Sequence, residues 1–140
     1  MAYVSPALRQ AVAERARYRC EYCQSPERIT GGPLHIEHVI PETSGGPTTL
    51  DNLALACARC NLHKGMRTRY QDPVSERSMS LFNPRTQRWS RHFMWKAEGL
   101  RVEGRTQSGR ATVNALNMNH PMIVMARSLW VNLGVHPPPA

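Results

Sequence analysis

Two closely spaced cysteine pairs constrain the fold of this chain more than any other feature. The pairs are Cys20-Glu-Tyr-Cys23 and Cys57-Ala-Arg-Cys60, with 33 residues between them. Two such CxxC knuckles supply four thiolates at the spacing that tetrahedral structural zinc requires. Two disulfides are the alternative, but Arg9 and Glu14 interrupt the first apolar stretch, so no secretory signal is expected. The cysteines therefore predict one structural zinc ion in a cytoplasmic protein.

The charge balance indicates a polyanionic partner. The 140 residues include 18 Lys and Arg against 10 Asp and Glu, a net charge of +8, which favours nucleic acid over an anionic membrane surface. No apolar run approaches the roughly 20 residues that span a bilayer, so no membrane association is expected. With 41% hydrophobic and 20% charged residues the composition is that of a globular protein of one domain, or a compact module with an extension.

Periodicity and capping residues predict mixed helices and short strands around the cysteine pairs. Ser5-Pro6 is typical of a helix start, and Gly65 of a helix end. The predicted elements are a helix over 6–17, a strand over Leu34–Ile40, a second strand over Leu53–Ala56, and a helix from the second knuckle to about Gly65. These belong to a first part of the chain, residues 1–71.

Residues 72–140 differ from the first part in composition and are predicted to form a basic extension packed on it. This segment carries 9 basic and 4 acidic side chains. Its predicted elements are a hairpin of Arg88–Trp95 with Leu100–Thr106, a helix over Gly109–Asn117 capped by Ser108, and a helix over Pro121–Leu133. Together the two parts predict an α+β protein.

The stretch from Cys20 to Gly65 resembles the HNH endonuclease family, in the branch whose core is framed by two zinc knuckles. The matching segments, in order, are CEYC, HIEHVIP, SGG, DNLAL, CARC and CNLHKG, and they cover about a third of the chain. The resemblance implies a ββα-metal core that hydrolyses phosphodiester bonds in DNA, double-stranded by expectation, and leaves 5′-phosphate and 3′-hydroxyl ends.

The resemblance also implies a role for each residue of the site. His38 would be the general base, and its ordinary pKa near 6.5 suits that task. Asn52 would brace the loop and orient the base. Glu37 and Asn61 would ligate a catalytic divalent ion, and hard oxygen ligands favour Mg²⁺ or Mn²⁺.

The roles of two further histidines, and the fact that Glu37 and His38 are neighbours in the sequence, leave alternatives open. Many family members have histidine where Asn61 stands, so His63 is an alternative metal ligand or phosphate contact. His35 is a third ligand, a phosphate contact or simply a polar strand residue. Glu37 and His38 alternate on a flat strand, so metal and base can cooperate only if the strand ends there.

Basic side chains beyond the second knuckle are the predicted DNA contacts, the alternative being a solvated basic face. The candidates are Lys64, Arg67, Arg69, Arg85, Arg88 and Arg91. The rival function is a non-catalytic zinc module that binds nucleic acid. The presence together of Glu37, His38, Asn52 and Asn61 favours the nuclease.

Overall fold

The computed structural model describes residues 2–139 and shows an α+β protein made of two compact units. The first unit runs to Thr68 and also includes Asn83–Thr86. The second comprises Arg69–Phe82 and the residues from Gln87 onward. Within the described part of the chain, no helix is long and apolar enough to cross a membrane.

The first unit contains the predicted ββα core. Its helices and strands are α1 (Pro6–Arg15), β1 (His35–His38), β2 (Leu53–Ala56) and α2 (Ala58–Lys64). The strands pair antiparallel, with His35 opposite Ala56 and His38 opposite Leu53. Ser5 caps α1 by accepting a hydrogen bond from the Leu8 amide at 3.1 Å. The predicted α+β class and ββα core are therefore confirmed.

β2 forms the centre of this unit, because all four of its residues are buried. α1 packs on β2 and buries Val12 and Ala13. β1 is only partly covered: Glu37 is buried, His38 is half-buried and His35 is exposed. The alternation of a strand therefore turns Glu37 towards the interior and leaves its neighbour at a more accessible position.

The second unit combines two hairpins with three helices. Its elements are β3 (Arg69–Gln71), β4 (Ser78–Ser80), α3 (Trp89–His92), β5 (Phe93–Lys96), β6 (Arg101–Gly104), α4 (Gln107–Ala115) and α5 (Pro121–Asn132). β3 pairs with β4, and β5 pairs with β6, both antiparallel. The final helix lies where the sequence predicted it.

Two sequence expectations for this unit were wrong, and one hairpin was not predicted. The strand predicted over Arg88–Trp95 begins only at Phe93, because residues 89–92 form a helical turn. Thr106, not Ser108, caps α4: its hydroxyl accepts from the Gly109 amide at 2.9 Å, whereas the Ser108 hydroxyl donates to the Ser80 carbonyl. The β3–β4 hairpin was missed because its three-residue strands are mostly exposed and carry little apolar pattern.

A fully buried arginine organises the interior of the second unit. The Arg127 side chain on α5 donates to the Leu100 carbonyl at 3.0 Å and to the Met118 carbonyl at 2.7 Å. Its guanidinium carbon also lies 5.4 Å from the centre of the Trp95 ring. The side chain thus joins α5 to the ends of two other segments through bonds that an apolar residue would leave unmade.

We expect Arg127→Met to lower the free energy of unfolding of the second unit by about 3 kcal/mol, because the buried Met118 carbonyl and the half-buried Leu100 carbonyl lose a charged donor. All three tryptophans lie in this unit, so tryptophan fluorescence in urea reports on its unfolding. Arg101→Met, at an exposed position on β6, is the matched control and should change stability by less than about 0.5 kcal/mol. Equal losses in the two variants would contradict this role for Arg127.

Candidate zinc centre and nuclease site

The four cysteines of the two knuckles converge on one point. Their sulfur atoms all lie within 4.8 Å of one another, and all four side chains are buried. The Cys23 and Cys57 sulfurs are 3.6 Å apart, close to the roughly 3.8 Å that Zn–S bonds of about 2.3 Å give in a tetrahedron. Burial raises the pKa of the Cys20 thiol, so four thiolates need a cation here. The cluster fits a closed structural zinc site.

His38 lies at the end of β1 with one ring nitrogen held in place. Its Nε2 is 2.9 Å from the Thr48 hydroxyl oxygen and 3.7 Å from Oε1 of Glu42. Among residues 2–139, no hydrogen bond engages Nδ1. A proton on Nε2 would be shared with these two oxygens, which leaves the Nδ1 lone pair available to accept a proton.

Asn52 braces the loop that carries Thr48 and Glu42. Its side-chain oxygen accepts from the Ile40 amide at 3.0 Å, and its amide nitrogen donates to the carbonyls of Ile40 and Pro47 at 3.0 and 2.9 Å. The backbone at residue 46 lies so close to residue 40 that a Cβ on residue 46 would overlap the Ile40 carbonyl. This explains Gly46 in the sequence and matches the bracing expected of Asn52.

Glu37 faces the other side of β1 and takes part in a buried ion pair. Its Oε1 accepts from the Tyr22 hydroxyl at 2.8 Å and lies 3.2 Å from Nζ of Lys64, which is 2% exposed. Burial raises the pKa of Glu37, and the Lys64 charge and the Tyr22 hydrogen bond oppose that rise. Lys64 also donates to the Val39 carbonyl at 2.9 Å, so the end of α2 is tied to the end of β1.

The remaining candidate ligands do not form a second cluster around one ion. In the described part of the chain, the four cysteines are the one set of three or more His, Cys, Asp or Glu side chains close enough to hold a metal. His35 is exposed on β1, and Asn61 and His63 are half-buried on α2. Within residues 2–139, the hydrogen bond from Tyr22 and the ion pair with Lys64 both fall on Oε1 of Glu37.

The predicted DNA contacts divide into exposed and engaged side chains. Arg67, Arg69, Arg88 and Arg91 are exposed, as that role requires. Lys64 is at odds with it, because its ammonium is buried against Glu37. Arg85 is also engaged: it forms an ion pair with Glu21 and donates to the Leu53 carbonyl at 2.8 Å.

Three residues of the site were not found in the sequence. Thr48 and Glu42 lie on the braced loop beside His38, and Tyr22 lies within the first knuckle beside Glu37. Glu42 follows His38 by four residues, but that spacing predicts a contact only within a helix. Residues 39–41 are not helical, so the sequence did not indicate the contact that the structure shows. No sequence pattern marks Thr48 or Tyr22 as a partner.

Comparisons with known proteins agree with this geometry. Residues 20–67 match the family model described as HNH endonuclease, which spans both knuckles, β1, β2 and α2. The predicted resemblance of this stretch to the HNH endonuclease family is therefore confirmed for residues 20–67.

One curated relative is the Septu protein PtuB of Bacillus thuringiensis, to which this chain is 25% identical over 116 residues. The match covers 81% of this chain and 42% of that protein, so the chain spans less than half the length of this relative. The similarity extends over more of the chain than the HNH domain alone.

We expect purified, reduced protein to contain about one zinc per chain, because binding energy at four converging thiolates is also folding energy. Elemental analysis measures this directly. Cys57→Ser should lose the ion, and circular dichroism should show loss of structure. A folded, reduced sample without zinc would contradict the assignment.

We expect Lys64→Met to destabilise the first unit by about 3–5 kcal/mol, since it leaves the Glu37 carboxylate buried without its cation. Release of zinc to a colorimetric chelator during denaturation reports on this unit. The matched control is Arg67→Met, three residues away and exposed, which should change stability little. The salt dependence of DNA binding should stay unchanged in Lys64→Met. If Lys64→Met keeps full stability but shows a flatter salt dependence of DNA binding, Lys64 contacts DNA and this interpretation is wrong.

Proposed function

We propose that this protein is a metal-dependent endonuclease that hydrolyses phosphodiester bonds in double-stranded DNA, with His38 as the general base. The observation that carries the proposal is the environment of the His38 ring. Thr48 and Glu42 hold Nε2, and Nδ1 is left to take a proton from the attacking water.

The two oxygens near Nε2 have distinct effects on this base. With a proton on Nε2, the Thr48 hydroxyl accepts a hydrogen bond from it, and Nδ1 is then the basic nitrogen. The Glu42 carboxylate, 3.7 Å from Nε2, stabilises the imidazolium that forms after proton transfer. Because Asn52 pins the loop at Ile40 and Pro47, both oxygens are positioned before substrate arrives.

Glu37 and Asn61 supply the hard oxygen donors that Mg²⁺ or Mn²⁺ prefers. A bound divalent ion would neutralise charge on the phosphate and on the leaving oxygen. Tyr22 and Lys64 orient the Glu37 carboxylate through Oε1. His63 and His35 stay as alternative contacts to the ion or to phosphate.

The substrate class follows from the family and the charge of the chain. An HNH domain implies a nucleic-acid substrate, and the net charge of +8 favours a polyanion. We assign backbone contacts to Arg67, Arg69, Arg88 and Arg91, which are exposed. The rival is a zinc module that binds nucleic acid without cutting it, and the arrangement around His38 favours the nuclease.

We expect His38→Ala to reduce cleavage of supercoiled plasmid by about 10²- to 10⁴-fold, the usual contribution of a general base. The comparison variant is His35→Ala, which removes an exposed histidine that is an alternative contact and not the proposed base, and it should lose much less activity than His38→Ala. Zinc content and circular dichroism should be unchanged in both variants.

Two results of this assay would contradict the proposal. One is near wild-type cleavage by His38→Ala, which would move the base to His63 or His35. The other is cleavage that survives a chelator strong enough to remove Mg²⁺ but too mild to remove thiolate-bound zinc. Cleavage that stops under that chelator should return on addition of Mg²⁺ or Mn²⁺.

A further inference from the structure

A basic pocket lies in the first unit, between the end of α1 and the first knuckle. Its volume is about 430 Å³, and it is lined by Arg17, Tyr18, Arg19, Pro26, Glu27 and Arg28. None of these side chains takes part in the zinc cluster or in the contacts of His38 described above. The pocket therefore needs an explanation of its own.

The backbone beneath the pocket is fixed by several hydrogen bonds. The Tyr18 amide donates to the Ala13 carbonyl at 3.0 Å, and the Tyr18 carbonyl accepts from the Glu27 amide at 2.9 Å. An isolated β-bridge joins Arg19 to Pro26. Arg17 and Tyr18 both have left-handed backbones, with φ of 55° and 57°. Such conformations cost energy in residues other than glycine, and here they hold two consecutive side chains in the lining of one pocket.

The charges in the pocket are unbalanced. Three arginines line it against one carboxylate, Glu27, whose Oε2 accepts a hydrogen bond from the Leu34 amide at 2.9 Å. Arg17 and Arg28 are exposed and form no ion pair within residues 2–139, while Arg19 is oriented by its bond to the Gln24 carbonyl at 3.0 Å. Exposed guanidinium groups such as those of Arg17 and Arg28, which line one pocket without an ion pair, favour a phosphate, which a guanidinium can bind with two parallel hydrogen bonds.

The size of the pocket and its aromatic ring specify more than an isolated anion. A volume of about 430 Å³ lies within the range of sites that hold small organic ligands. Tyr18 lines this pocket and is 45% exposed, and an exposed ring beside cationic groups is a platform on which a base can stack. A phosphate joined to a planar base matches both features.

We propose that this pocket binds one nucleotide of a nucleic-acid strand, with Arg17 and Arg28 on its phosphate and Tyr18 against its base. The proposal rests on the proposed function only in taking nucleic acid as the ligand. It adds to the first unit a contact formed by residues other than the predicted contact Arg67. A free mononucleotide has the same chemistry and is separated from a strand by the test.

The test measures binding without cleavage. Full-length, zinc-loaded protein carrying His38→Ala is titrated into fluorescein-labelled DNA across a salt series without added divalent ions, and anisotropy is recorded. Arg17→Gln/Arg28→Gln should weaken binding and flatten the slope of log K against log salt by up to about 1.8, or about 0.9 for each lost phosphate contact. The charge-matched control is Arg9→Gln/Arg77→Gln, two exposed arginines outside the pocket, which should leave the slope nearly unchanged.

The ring is tested separately. Tyr18→Ala should weaken binding about tenfold, and Tyr18→Phe should bind like the parent protein because stacking needs the ring and not the hydroxyl. Zinc content and thermal unfolding of each variant show whether it is folded. Competition with deoxyadenosine monophosphate and with inorganic phosphate identifies the source: a strand if neither displaces DNA at micromolar concentration, a free nucleotide if the monophosphate does.

Equal slopes and affinities in the pocket variant and the charge-matched control would overturn the proposal. So would Tyr18→Phe binding as weakly as Tyr18→Ala. The proposed function is tested by a separate assay, which measures whether the wild-type protein hydrolyses plasmid or bis(4-nitrophenyl) phosphate with Mn²⁺. The pocket proposal can therefore be disproved in an active nuclease, or supported in a protein that binds DNA without cutting it.

Discussion

The convergence of four buried thiolates is the constraint on which the first unit depends. A unit of this size rarely gains enough stability from its apolar core alone, and a zinc ion held by these four cysteines would supply the difference. Cys57 directly follows β2 and caps α2, so the cluster fixes where the helix starts. The first knuckle is held to the same strand, because the Glu21 amide donates to the Leu55 carbonyl and the Glu21 carboxylate accepts from the Leu55 amide. Ligation thus positions β2 and α2 together.

A buried ion pair connects α2 to the end of β1 that holds His38. Lys64 lies at the last turn of α2, and its ammonium reaches Glu37 and the Val39 carbonyl. Because adjacent strand residues face opposite ways, Glu37 meets this interior cation while His38 meets the loop braced by Asn52. One strand therefore separates a carboxylate in a buried, charged setting from an imidazole with an available nitrogen. β1 ends at His38, as the pairing of an acid with its neighbouring base requires.

The second unit is stabilised in a different way, without any group of His, Cys, Asp or Glu side chains in its described residues that would hold a metal. The Arg127 guanidinium satisfies carbonyls at the ends of two segments, and Trp95 packs between that guanidinium and His136. A second ion pair, Arg110 with Asp72, holds the β3–β4 turn against α4 and lowers the pKa of Asp72. Positive charge on this unit is thus divided between side chains that stabilise it and exposed ones such as Arg88 and Arg91.

The sequence by itself predicted the cysteine cluster and the ββα order, because these depend on local spacing and on residue chemistry. Cys20 and Cys57 begin CxxC turns whose geometry is set within four residues, whereas His38 as candidate base and Asn52 as its brace came from the resemblance to the HNH family. Only the tertiary structure decided which charges are available. Lys64 was expected to reach phosphate and is buried, since its partner Glu37 is distant in sequence. The contacts of Thr48, Tyr22 and the Arg17–Arg28 pocket likewise join segments that no periodicity relates, so folding alone brings them together.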